Sequence, residues 1–171
     1  GLFDSIKEGV YQSEPGAEGV FTFINKAGAE ILGYSTPEEA IGIKVKNIYV
    51  EPEDRRRLCE KLEKDGVWRE FVSLCKRKNG ESFYAERTSS MLRDENGKPV
   101  AIFGVFRDIS ERKKAEEEIA ESEKRYRLLF DSLKDGVYQS EPEMDGSFVW
   151  INKAGAEILG YKSPEEVIGI K

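Results

Sequence analysis

The sequence predicts an α+β fold: a short antiparallel hairpin, a run of small helices and a meander of three long strands, then a long helix and the opening of a second copy of the same unit. Three observations carry this expectation. The spacing of apolar residues changes from a helical period of about 3.6 to the strand period of 2 shortly after Gly66. The chain repeats itself: LFDSIKEGVYQSEP at Leu2 aligns with LFDSLKDGVYQSEP at Leu129, and INKAGAEILGY occurs at both Ile24 and Ile151. Without a gap, residues 1–44 match 128–171 at roughly three quarters of positions. Finally, ERKKAEEEIAESEKRYRLLF after Ser110 consists almost wholly of strong helix formers.

Residues 9–13 and 20–24 are predicted strands around a turn rich in Pro, Gly and acid. Asn25 stands where a helix N-cap belongs, Ala27, Ala29, Ile31 and Leu32 supply the helix, and Gly33 stops it. Ser35 or Thr36, then Pro37, Glu38 and Glu39, start a second small helix with acids near the positive end of its dipole. Pro52, Glu53 and Asp54 open a third, whose Leu58, Cys59 and Leu62 form a stripe before Gly66, with Arg55, Arg56 and Arg57 read as its solvated side. Residues 69–77, 81–93 and 100–109 follow as an antiparallel meander joined at Asn79-Gly80 and Asn96-Gly97. In the last strand Ile102 and Phe106 point one way and Phe103 and Val105 the other, so both sheet faces are apolar there. Ser110 is the expected cap of the long helix, in which Ala115, Ile119, Ser122, Tyr126 and Leu129 make a narrow heptad seam suited to a parallel two-stranded coil.

Composition removes whole classes of function. With 27 basic against 33 acidic residues the net charge is −6, which opposes nucleic-acid binding. No apolar run approaches the roughly 18 to 20 residues of a membrane helix, and the start lacks an export signal. Cys59 and Cys75 belong to no CxxC pair, which places the expected compartment in the reducing cytoplasm. Histidine is absent, and with it the commonest general base, metal and haem ligand. Neither a nucleophile-base pair nor a phosphate loop offers itself, so the chain is not expected to be an enzyme.

The segments INKAGAEILGY at Ile24, PEEAIG at Pro37, KRKNGESFYAER at Lys76 and GVFRDISERKKAEEEIAESEKRYR at Gly104, in that order, resemble the PAS sensor family with its trailing PAC signature. The resemblance implies a five-stranded antiparallel sheet with short helices on one face enclosing a pocket, in residues 1–110. A linker helix over 111–130 and an incomplete second PAS repeat over 128–171 follow. It also implies a sensory rather than catalytic role, commonly within a multi-PAS histidine kinase, whose other PAS or output domains would be partners. Asp108, Ile109 and Ser110 match the family's DIT-type junction between sheet and signalling helix, with Asp108 expected to pair with Arg107 or Arg112.

The family hosts flavin, haem, small carboxylates or nothing, so the cofactor is open. Val45 stands where the flavin photosensors carry their reactive cysteine, and no histidine is available for haem. Cys59 as a haem thiolate is set against a small buried cysteine, and Cys75 as a redox switch against sheet packing. Alignment to the family pattern turns Phe71, Ser73 and Cys75, then Ala85, Arg87 and Ser89, then Ile102, Gly104 and Phe106 toward the pocket. A buried guanidinium without a partner costs several kcal/mol. Arg87 therefore either holds a small anion together with Ser73 and Ser89, or pairs with Glu70 or Glu81, or turns outward by a one-residue slip. Two functions follow: a homodimeric sensor relaying the state of the pocket through the linker helix and outer sheet face, or a structural dimerisation and spacer module without ligand. The incomplete repeat lacks all three long strands and is expected to be covered by another copy, through exchange of 128–171 for 1–44 or through a dimer or crystal contact, exchange being favoured because the two segments should fit the same site.

Overall fold

Five strands form one antiparallel sheet in the first unit of the computed structural model, which describes residues 8–170 and divides into Gly1–Lys114 and Ala115–Lys171. Residues 1–7 and Lys171, at the ends of the sequence repeat, lie outside the described residues. The strands are β1 (Gly9–Ser13), β2 (Phe21–Ile24), β3 (Val67–Lys76), β4 (Ser82–Arg93) and β5 (Pro99–Asp108), in the spatial order β2-β1-β5-β4-β3. The predicted hairpin and meander are thus fused by pairing β1 with β5, Gly9 opposite Phe106 and Ser13 opposite Ile102. A side chain at Gly9 would overlap the Phe106 ring, so this closest approach requires glycine.

The helical layer lies between β2 and β3 in sequence. In α1 (Lys26–Ile31) the Asn25 Oδ1 accepts from Gly28 N at 2.9 Å and also from Val10 N at 2.9 Å, so one side chain caps the helix and ties it to β1. α2 (Glu53–Asp65) ends at Gly66, whose φ of 77° is the left-handed turn that glycine adopts without strain. The second predicted helix is a single 3-10 turn, Pro37–Glu39, because Gly42 follows too soon for a longer one. A further 3-10 turn, Val45–Ile48, had no sequence signal beyond apolar ends. Leu32, Ala40, Tyr49, Leu58 and Leu62 pack against Phe83 and Ile102 of the sheet to form the core. Val72, Tyr84 and Phe103 on the other sheet face remain partly exposed.

α3 runs over Ser110–Ser132, with its seam residues Ile119, Tyr126 and Leu129 all more than half exposed. Ser110 is its first helical residue rather than a separate cap. The Asp108 Oδ1 accepts the Ser110 N–H at 2.8 Å, while the Ser110 hydroxyl accepts the Tyr84 N–H at 2.9 Å. The correction has a simple cause: an aspartate two residues upstream reaches the helix start and frees the serine for the neighbouring strand.

The second unit repeats the beginning of the first. It contains a hairpin of β6 (Tyr138–Ser140) and β7 (Phe148–Ile151), then α4 (Lys153–Ile158). Asn152 repeats the cap, accepting from Gly155 N at 2.8 Å and Val137 N at 2.9 Å. Its cluster is small, with Ile151, Ala156 and Val167 buried. Tyr138 is 62% exposed and Leu159 50%, against 2% for Tyr11 and 0% for Leu32 at the matching places.

Candidate functional site

The inner face of the sheet gathers every residue that the family resemblance assigned to it. Phe71, Ser73, Cys75, Ala85, Arg87, Ser89, Ile102, Gly104 and Phe106 are all buried, and the register places Arg87 between Phe71 of β3 and Phe106 of β5. Arg87 therefore turns inward, and its contacts are not with Glu70 or Glu81. It donates through Nη1 to the Tyr49 hydroxyl and through Nη2 to Ser73 Oγ at 3.3 Å and Cys75 Sγ at 2.9 Å. Its guanidinium carbon lies 4.5 Å from the centre of the Tyr49 ring, a cation-π geometry. Ser89 does not join it: the Ser89 hydroxyl pairs with Tyr11 Oη at 2.8 Å. Gly104 makes room for that pair, since a Cβ there would lie 2.6 Å from the Tyr11 ring and 2.8 Å from Ser89 Oγ.

Arg55 corrects the reading of the arginine run as solvated. Arg56 and Arg57 are exposed and pair with Glu53 and Asp54, but Arg55 has no exposed surface. Its Nη2 donates to Ser13 Oγ and to the Glu14 carbonyl, each at 3.1 Å. The signal was present in the spacing, because Arg55 occupies the same helical stripe as Leu58, Cys59 and Leu62. Tyr49 was also missed: nothing in a connecting segment marks one aromatic as the partner of a cation two strands away.

Two guanidiniums are thus buried, and among the described residues no aspartate or glutamate is. Arg55 Nε, Arg55 Nη1 and Arg87 Nε have no hydrogen-bond partner. Burial works against the Arg87 charge, but Tyr49, Cys75 and Tyr11 around it more than offset this and raise its pKa. Burial pushes the Tyr49 phenol up, opposed by Arg87 and Arg55, which both act on it. Cys59 and Cys75 are free, buried thiols.

The opposite side of β4 holds the start of α3. Glu86, next to Arg87 and facing the other way, accepts from Arg107 Nε at 2.7 Å and from Arg112 Nη2 at 2.8 Å. Those two hydrogen bonds, Arg112 first, hold its carboxyl below the ordinary value. Asp108 pairs instead with Arg77 of the loop after β3, so the expected Asp108 pairing with Arg107 or Arg112 is replaced by Glu86, which reaches both. Burial raises the Asp108 pKa, but the Ser110 hydroxyl and N–H, with Arg77, outweigh it and leave it lowered. Ile109 is buried and donates its N–H to the Tyr84 carbonyl at 2.9 Å. No described helix is long and apolar enough to cross a membrane.

Comparison with known proteins agrees with the fold. Family models described as PAS domain match residues 16–111 and again residues 124–171. Sporulation kinase C of Bacillus subtilis (strain 168) is 27% identical over 125 residues, covering 72% of this chain and 28% of that protein. The two-component sensor PprA of Pseudomonas aeruginosa is 31% identical over 81 residues, 47% of this chain and 8% of that protein. The chain therefore spans less than a third of the length of either relative. The crystal structure of a PAS domain from Colwellia psychrerythraea superposes with a TM-score of 0.55 at 24% identity, covering 64% of this chain and 92% of that one, a likeness of fold.

Proposed function

The chain belongs to the PAS domain family, and from that premise we propose that it is the sensory and relay segment of a cytoplasmic signal-transduction protein. The parent is a multi-PAS histidine kinase in this reading, in keeping with the similarity to sporulation kinase C and to the two-component sensor PprA. The chain itself regulates rather than catalyses. Its interior around Arg87, with Ser73, Cys75 and the apolar residues beside them, senses a small anion. The observation that carries the reading is the alternation along β4, where Arg87 faces the interior and the adjacent Glu86 grips Arg107 of β5 and Arg112 of α3. A displacement of Arg87 by an occupant shifts the strand that holds the helix, and the Asp108-Ile109-Ser110 junction passes it on.

The relay acts in a homodimer, through the α3 seam and the partly exposed outer sheet face, with other PAS or output domains of the parent chain as further partners. The second repeat finds its cover in another copy by exchange of 128–171 for 1–44. A ligand-free spacer is the second reading, favoured by one observation: both Nη groups of Arg87 already have protein partners.

Fusing the chain through α3 to a histidine-kinase core, with one to four residues removed from residues 116–125, tests the relay. Kinase activity should vary with helical phase and return when seven residues, two full turns of a coil, are deleted. Indifference to the deletions would leave the spacer reading.

A further inference from the structure

We propose that α3 and the second repeat move as one body, fastened by Asn152, so that a state relayed along the helix is delivered into the second repeat. The inference deepens the relay reading above and rests on it. A helix leaves its last four carbonyls without intrahelical donors. In α3 two of these are met by side chains: Ser132 Oγ donates to the Leu129 carbonyl at 2.7 Å, and Asn152 Nδ2 donates to the Phe130 carbonyl at 2.9 Å. The Phe130 carbonyl also takes the Leu133 N–H at 3.3 Å. Asn152 has no exposed surface. Its Nδ2 donates to the Asp135 carbonyl as well, at 2.9 Å, and its Oδ1 accepts from Val137 N and Gly155 N. One side chain therefore joins the last turn of α3, the approach to β6 and the cap of α4. Three of these bonds recur at Asn25, which accepts from Val10 and Gly28 and donates to the Glu8 carbonyl. The bond to Phe130 is the one that brings in the long helix.

A ring contact backs the hydrogen bond. Phe130 meets Trp150 of β7 edge to face, with centroids 5.2 Å apart and planes at 62°. Arg127 and Asp131 border the same place, lining a shallow pocket with Trp150, Pro164 and Glu165. At about 100° per residue, the face made by Arg127, Phe130 and Asp131 is turned roughly 110° from the seam of Ile119, Tyr126 and Leu129. The seam thus stays open to a second helix while the neighbouring face carries the second repeat. Phe130, Trp150 and Asn152 all lie within 128–171, so exchange of that segment between copies would carry the fastening with it.

Residual dipolar couplings of the backbone amides, measured on the whole chain, test the claim. In the wild type, residues 116–132 and 138–168 should fit a single alignment tensor. Asn152→Asp keeps an acceptor for Gly155 and Val137 but loses both donated bonds; Asn152→Ser keeps the α4 cap without a charge, should the aspartate disturb folding. In either variant the two sets of residues should require separate tensors. Amides of residues 129–132 should exchange at least fivefold faster, while that of Gly155 stays within twofold of wild type. A residue that merely capped α4 would produce neither effect. Two tensors in the wild type, a single tensor in both variants, or unchanged exchange over 129–132 would each overturn the proposal. The helix-phase experiment judges the step from sheet to helix, and its failure would leave the single wild-type tensor standing, so the two readings fail separately.

Discussion

At the scale of single residues, Arg87 and Asn25 make opposite predictions although both are buried and polar. Asn25 has every group in use: Oδ1 accepts from Val10 and Gly28, and Nδ2 donates to the Glu8 carbonyl at 3.0 Å. Asn25→Ala strands two backbone donors and one acceptor in a dry place, and should lower stability by about 3 kcal/mol, measured by urea unfolding. Arg87 is a cation without a counter-charge. Arg87→Met keeps most of the volume, removes the desolvation cost and leaves the Tyr49 and Ser73 hydroxyls to find other partners. The first effect is the larger, so the variant should be more stable by about 1 kcal/mol, with an unchanged urea dependence. A loss of several kcal/mol would instead make Arg87 a structural member of the core and count against a sensory use.

Among the elements, β4 is the one that connects interior to output, and its two-residue period does the connecting. Ala85, Arg87 and Ser89 face in, while Tyr84 and Glu86 face the start of α3. The carboxyls of Glu86 and Asp108 both have lowered pKa values in the fold. Their stabilising contacts are therefore complete above the ordinary carboxylate range near 4 and are lost as pH falls through the lowered values. Amide exchange of residues 110–114 should accelerate about tenfold on going from pH 6 to below 4, after correction for intrinsic rates, before the sheet itself opens. Glu86→Gln should produce most of that acceleration at pH 6, and equal exchange in variant and wild type would remove Glu86 from the junction. The elements themselves were legible because strand alternation, the Asn25 cap and the glycine stops are local signals. The inward direction of Arg87 was legible only through resemblance to a family pattern. Tyr49 and Glu86 were not legible, since each acts on a residue distant in sequence, and the approach of β1 to β5 that closes the interior has no local signature.

For the whole molecule, the repeat sets a question of stoichiometry. Among the described residues there are two hairpins, β1 with β2 and β6 with β7, and one set of the long strands β3 to β5. Exchange of 128–171 for 1–44 between copies would cover one hairpin and uncover another, and its balance would rest on the positions where the copies differ. Seven of the twelve, Gly16, Ala17 and Glu18 in the turn and Thr22, Phe23, Ser35 and Thr36 at exposed positions, meet little of the core, so the two segments should be close to interchangeable. A chain of residues 45–171 makes this measurable by removing the competitor. Its remaining hairpin would have to replace β1 and β2, with Gly136 against Phe106 and Tyr138 reaching Ser89. A helix of 23 residues spans about 35 Å, so α3 must break for that pairing to occur within one chain but not between two copies. The shortened chain should accordingly unfold in one cooperative transition whose midpoint rises with protein concentration, and Tyr138→Ala should abolish it. A shortened chain that shows only the gradual, concentration-independent melting of a lone helix would mean that the two copies, despite their near-identity, do not fit the same site.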